Sequence, residues 1–243
     1  MRPERTSWNH NIHYHPLILG AVSDGCQVGL DVGCGEGGLA RELRQVVPHV
    51  VGIDSDGPVI GRARQQDNGA GVEYVNGDFL TYDLRPESFD VIVSVAAPHH
   101  MNAAAALNRM RQLLRPDGML AVVGLARSRL RDLPADAAGV VAHRMLLVGK
   151  KYQQVNARTI WPPPQTYAQM RRTASDTLPG VRYRRHLLWR YSLIWAKPPR
   201  VPHRADLSSF PHGQIVPIRA PNRALARISG IWASPVGPQP AAG

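Results

Sequence analysis

Cysteine is nearly missing: the 243 residues hold two, Cys26 and Cys34. Two thiols so close in the chain supply no disulfide framework, which excludes the small cross-linked secreted class and fits a reducing, cytoplasmic compartment. Long apolar runs are missing too. Leu17 to Val22 is a short run without a basic leader, and no window of about 18 apolar residues occurs, so neither secretion nor membrane spanning is indicated. Aromatics are scarce at 6%. No basic run is interleaved with them, so the chain lacks the stacking platform expected of a single-strand nucleic-acid binder. No internal repeat is visible.

Acidic residues run out where basic ones collect. Residues 1–126 carry 10 basic and 14 acidic side chains, residues 127–197 carry 14 and 3, and residues 198–243 carry 5 and 1. The overall charge of +11 therefore arises entirely beyond residue 126. Such an excess steers anionic partners, nucleic acid included, or forms a solvated basic surface; the scattered arginines favour the second reading.

The chain is organised around Leu30-Asp31-Val32-Gly33-Cys34-Gly35-Glu36-Gly37-Gly38-Leu39-Ala40. Cys26 to Val32 has strand character and a helical pattern starts at Leu39, so the glycines form a strand-to-helix turn. Such a turn lets a ligand approach backbone N–H groups that a Cβ would block, with Asp31 at the strand's carboxyl end. The next strand, His49 to Ile53, ends in Asp54, nineteen residues after Gly35. Between parallel neighbours, a carboxylate there can accept both hydroxyls of a ribose bound across the turn.

With these residues the chain resembles the class I S-adenosylmethionine-dependent methyltransferases. LDVGCGEG is similar to that family's glycine motif, since an acid precedes the first glycine and Glu36 sits inside the turn. Asn76-Gly77-Asp78-Phe79 resembles the loop that reads the adenine amino group, Phe89 to Ser94 the fourth strand, and Leu113-Leu114-Arg115-Pro116-Asp117-Gly118 the turn into the fifth, with Asp117 where glycine is usual. The resemblance covers roughly residues 25 to 126 and continues more loosely to Pro198. It implies a Rossmann-like α/β fold with a seven-stranded, mostly parallel sheet in the order 3-2-1-4-5-7-6, helices on both faces and a lid insertion at about 127–164. The implied cofactor is S-adenosyl-L-methionine, held by Tyr14, Asp31, Gly33, Cys34, Gly35, Asp54, Ser55, Asp78, Phe79 and Ala96.

Other segments fill this frame. His13 to Leu19 reads as a short helix with Pro16 in its first turn, and the resemblance implies that Tyr14 or His13 closes over the methionine end. His10, His13 and His15 share no Cys, Asp or Glu nearby in sequence, so no metal site is expected. After the fourth strand, Ala96-Ala97-Pro98-His99-His100-Met101 reaches the carboxyl edge of the sheet, where open α/β sheets bind ligands. His99 and His100 are the candidates for a general base, or else shape the pocket or cap the helix from Asn102 to Arg115. This loop lacks the Asn/Asp-Pro-Pro-aromatic clamp that the family uses on nucleobases, so base methylation is disfavoured.

Beyond strand five, Leu133 to Gly149 reads as a lid helix, Lys150 to Pro164 as a loop, Gln165 to Leu178 as a helix, and Val181–His186 with Arg190–Lys197 as an antiparallel pair. Met145, Tyr152 and Trp161 are candidates for the acceptor pocket or the lid's core. Residues 1–198 make the expected domain. Residues 199–243 form a Pro-rich extension whose composition favours extended chain, with Trp232 as a candidate anchor. The expected activity is methyl transfer to oxygen or nitrogen of a small organic acceptor, without membrane or nucleic acid as partner and with a homodimer left open. Alternatives are an RNA or protein methyltransferase, a nicotinamide-dependent oxidoreductase, and a non-catalytic homologue of the fold.

Overall fold

A computed structural model describes residues 7–97, 100–147, 151–152 and 162–200. His99, Trp161 and Trp232, the side chain of Tyr152 and the extension beyond residue 200 lie outside the described residues. The main sheet has seven strands: β1 (Val28–Val32), β2 (His49–Asp54), β3 (Val72–Asn76), β4 (Phe89–Val95), β5 (Leu114–Leu125), β6 (Arg182–His186) and β7 (Arg190–Ala196). Their order is 3-2-1-4-5-7-6, as the resemblance implies. Strands β1 to β5 are parallel, while β7 runs antiparallel to both β5 and β6.

Among the described residues six α-helices accompany the sheet: α1 (His15–Leu19), α2 (Gly38–Arg44), α3 (Gly57–Gln65), α4 (Ala103–Leu113), α5 (Leu133–Leu147) and α6 (Tyr167–Thr177). Alternation along each strand sends side chains to two cores. Val91 and Val93 join Ile18, Leu39, Leu43 and Ile60 of α1 to α3 on one face. On the other face Ile92, Leu30 and Val32 meet Leu107 and Met110 of α4 and Met170 of α6. Local signals begin these helices where the sequence places them: Asp56 accepts from Val59 N–H ahead of α3, and Thr166 with Gln169 forms a reciprocal capping box on α6.

Three details differ from the sequence reading. The Arg115-Pro116-Asp117-Gly118 turn is a bulge inside a longer β5, because Phe89 pairs with Leu114 while Val91 pairs with Met119. Asp117 takes φ +63° there, the left-handed conformation that explains why glycine is the usual occupant, and its N–H donates to the Lys197 carbonyl at 3.0 Å. The segment after α5 is not all loop, since Lys151–Tyr152 pairs in parallel with Ser7–Trp8 and ties the lid to the amino terminus. Met145 is 71% exposed, so it faces solvent rather than a pocket. Among the described residues no helix is long and apolar enough to cross a membrane.

Candidate functional site

The glycine turn joins β1 to α2, and its glycines answer to different surroundings. Gly33, Gly35 and Gly37 all have positive φ, at 70°, 54° and 78°. A Cβ on Gly33 would lie 2.2 Å from Ala97 Cβ, and one on Gly37 would lie 2.3 Å from the Tyr74 hydroxyl. Those two glycines let the turn pack against β4's loop and against β3. A Cβ on Gly35 would meet nothing within 4 Å. Gly35 therefore borders open space, which is what a cradle for a ligand requires.

The N–H groups of the turn are less available than its sequence suggests. Gly33 and Cys34 both donate to the Ile53 carbonyl, at 2.8 and 3.1 Å, and Gly35 donates to Asp54 Oδ2 at 3.0 Å. The turn thus offers shape and acidity more than free donors at these three positions. The Cys34 side chain is buried beside Gly52, and burial, with Asp31 and Asp54 nearby, pushes its thiol pKa up. It is a packing group, not a nucleophile.

Three carboxylates stand at the ends of β1, β2 and β3. Asp31 is only 1% exposed, and its Oδ2 has no hydrogen-bond partner. Burial, reinforced by the charge of Asp54, pushes its pKa up to about 8, although the Ala40 N–H opposes the shift. A buried, half-satisfied carboxyl under an open turn is suited to a ligand cation, which would supply both the missing bond and the counter-charge. Asp54 holds the turn closed from the neighbouring strand, accepting from Gly35 N–H and, at 3.0 Å, from Asp56 N–H. Ser55 beside it is exposed. Asp78 is exposed and folds its own loop by accepting from Leu80 N–H at 2.8 Å. Phe79 is 4% exposed among Leu30, Val32 and Ile53, so its ring seats this loop in the core instead of offering a face to a ligand.

The loop after β4 closes the site from the other side. Ala96 has φ +57° and donates to the Val123 carbonyl at 2.8 Å, while Ser94 Oγ bonds the Val32 carbonyl at 2.7 Å. His100 N–H donates to the Ala97 carbonyl at 3.0 Å. The His100 ring is exposed, and desolvation lowers its pKa despite the opposing pull of Asp54. It is therefore neutral at pH 7, the state a proton acceptor needs.

At the amino terminus, α1 packs over α2, where His15 Nδ1 meets Glu42 Oε1 at 3.0 Å. Tyr14 is buried with its hydroxyl donating to the Leu187 carbonyl, and burial raises its pKa to about 12. That commitment fixes the segment to the β6–β7 hairpin. Of the three histidines in this region, His10 meets His143 of α5, its Nε2 lying 3.0 Å from His143 Nδ1. The lid is clamped by Arg185, which reaches Asp132 at 2.5 Å and Asp136 at 3.1 Å and lies 4.0 Å above the Tyr167 ring.

Sequence reasoning missed a cavity at the same edge of the sheet. It measures about 190 Å³ and lies between Met101, Leu125, Pro164, Gln165, Met170 and Tyr191, with Asn102 and Ala103 completing the wall. These residues come from five separate segments, so no local pattern announces them.

Comparison with known proteins agrees with this geometry. Residues 30–122 match the family model of a methyltransferase domain. An uncharacterized methyltransferase of Mycobacterium tuberculosis is 38% identical over 192 residues, spanning 79% of this chain and 98% of that protein. A sterol 24-C-methyltransferase of Candida albicans is 32% identical over 99 residues, 38% of this chain and 26% of its own. Among solved structures, YcgJ of Bacillus subtilis aligns with a TM-score of 0.51 at 19% identity, over 71% of this chain and 70% of that one. Phosphoethanolamine N-methyltransferase 2 of Haemonchus contortus, solved with S-adenosylhomocysteine, aligns with a TM-score of 0.54 at 17% identity, over 79% and 53% of the two chains. With its sheet order, its glycine turn and a relative matched over almost its whole length, the chain belongs to the class I S-adenosylmethionine-dependent methyltransferases.

Proposed function

We propose that this methyltransferase acts on an oxygen or nitrogen of a small organic acceptor. S-adenosylmethionine, when bound, supplies an electrophilic methyl on a sulfonium, so neither a metal nor a protein nucleophile is needed. The orphaned Asp31 oxygen beneath the open Gly35 turn carries the assignment of orientation: Asp31 receives the methionine ammonium, Asp54 the ribose hydroxyls and Asp78 the adenine amino group. That leaves the reacting end beside the loop from Ala96 to His100. His100, neutral at pH 7, takes the acceptor's proton; His99 is the alternative base.

The clamp of Arg185 on Asp132 and Asp136 supports a small acceptor, since it holds the lid down and engages a cation that an RNA groove would present. The test is a transfer screen with labelled cofactor against total RNA, protein extract and a panel of phenols, amines and carboxylic acids. Labelling confined to small acceptors, insensitive to salt between about 50 and 200 mM, is expected. Strong RNA labelling that falls steeply with salt, as counterion release demands, overturns the reading. With a phenolic acceptor found, His100→Ala loses maximal rate and regains part of it as pH rises, with S-adenosylhomocysteine affinity unchanged; an unaltered rate removes His100 from the mechanism.

A further inference from the structure

We infer that the cavity lined by Met101, Leu125, Gln165, Met170 and Tyr191 is the acceptor's binding pocket and that it takes a neutral, ring-sized group carrying one hydrogen-bonding substituent, read by the Gln165 amide. The inference rests on the proposed function and specifies its substrate class. The pocket begins at Met101, one residue beyond His100, and is bounded by Leu125 at the carboxyl end of β5 and by Tyr191, whose backbone pairs with Gly124. It thus opens on the sheet edge where the loop after β4 ends.

Size, charge and polarity define the ligand. At about 190 Å³ the cavity exceeds the roughly 150 Å³ that suffices to enclose benzene. One ring with a small substituent fits. Every described lining residue is uncharged, so a carboxylate, phosphate or ammonium entering would lose hydration without finding a counter-ion among them. Met101, Leu125, Met170 and Tyr191 supply apolar wall, with the methionines able to adapt to a ring edge.

Gln165 is the exception in that wall. Its backbone carbonyl accepts from Arg127 N–H at 2.8 Å, and its Nε2 lies 3.4 Å from Thr173 Oγ1. The residue is therefore held at its backbone and at its amide nitrogen. Its Oε1 is buried and has no partner. A buried amide oxygen left bare costs about 1–3 kcal/mol, and a ligand N–H or O–H at this point recovers it. The neighbouring polar side chain, Asn102, is already used to cap α4 through Ala105 N–H at 3.0 Å. Among the described lining residues, Gln165 Oε1 is the buried side-chain atom without a partner, and it favours a polar over an apolar ring.

The test uses the full chain saturated with S-adenosylhomocysteine and carrying 13C-methyl methionine, so that Met101 and Met170 report from inside the pocket. The probes are 4-methylphenol, toluene and benzoate. 4-Methylphenol is expected to shift both methionine signals saturably, with a dissociation constant at least tenfold below that of toluene, while benzoate shifts neither. In Gln165→Leu the phenol loses that advantage and toluene still binds. Ala103→Phe, which adds a ring to the cavity wall and leaves Gln165 in the chain, abolishes the response to both and decides the matter if the first variant does not fold. Silence of both methionines toward all probes, a phenol preference that survives Gln165→Leu, or benzoate binding as tightly as the phenol overturns the inference. S-adenosylhomocysteine titration is run separately: its failure removes the proposed function, whereas the probe response of the cofactor-free protein still decides the pocket.

Discussion

Replacing Asp31 by asparagine tests the site through stability, without any substrate. The carboxyl is pushed from 3.8 to about 8 in the folded protein, chiefly by burial and then by Asp54. A raised carboxylate contributes stability that is complete below the unfolded pKa and is lost as pH rises through the folded one. Between about pH 4 and pH 8 the unfolded chain has released this proton and the native chain retains it, so each pH unit costs the wild type about 1.4 kcal/mol. Over the whole window the loss is roughly 5–6 kcal/mol. An amide in place of this carboxyl has no proton to lose. The unfolding free energy of Asp31→Asn minus that of the wild type should therefore climb by about 1.4 kcal/mol per unit from pH 5 to pH 7.5 and level off above 8. Urea denaturation at four pH values reads it directly. A difference constant to within about 0.5 kcal/mol across that range would mean that the native carboxyl is already ionised at pH 5, and the account of a half-satisfied acid would fail. The same carboxyl links cofactor binding to protons. If Asp31 receives the ammonium, wild-type binding of S-adenosylhomocysteine at pH 7 releases close to one proton, seen as buffer-dependent heat in phosphate against Tris; Asp31→Asn releases none.

Asp54→Ala should weaken S-adenosylhomocysteine binding by about 1.5–3 kcal/mol and also lower stability, because Gly35 and Asp56 lose their acceptor; unchanged affinity by equilibrium dialysis refutes the ribose assignment. Gly33→Ala and Gly35→Ala should separate packing from binding. The first drives a methyl to 2.2 Å from Ala97 and lowers the thermal midpoint sharply, while the second meets only strain of about 1–2 kcal/mol from its φ yet loses cofactor affinity. Equal midpoints for the two variants would contradict the geometry. Arg185→Ala should release the lid. Burial pushes Asp132 upward, but the Arg129 N–H and Arg185 outweigh it and hold its pKa below the usual value, so the stabilisation is present above about pH 4 and lost as pH falls through the lower folded value. The stability difference between Arg185→Ala and wild type should accordingly shrink on acidification, and a difference independent of pH would place the contribution in the stacking on Tyr167.

Strand positions and the strand-end acids Asp31 and Asp54 were legible in the sequence because each is a local pattern, whereas the sheet order and the Asp78 station followed from the resemblance. A strand that ends in Asp31, a glycine turn and a helix reading from Leu39 need no distant partner to declare themselves, and parallel crossovers leave few ways to arrange the strands. Asp117 was noticed as a departure from glycine, and its φ of +63° supplies the reason. The tertiary structure alone decided how the turn's N–H groups are engaged, since Ile53 and Asp54 belong to the next strand. It placed Phe79 in the core and Met145 in solvent, because exposure depends on what packs against a face and not on residue type. It brought Trp8 beside Tyr152 and His10 onto His143, contacts across more than a hundred residues of chain. The bare oxygen of Gln165 is the furthest from any sequence signal. A glutamine ahead of a helix is ordinary as a letter, and it becomes a recognition group only where Leu125, Met101 and Met170 converge to exclude water from it.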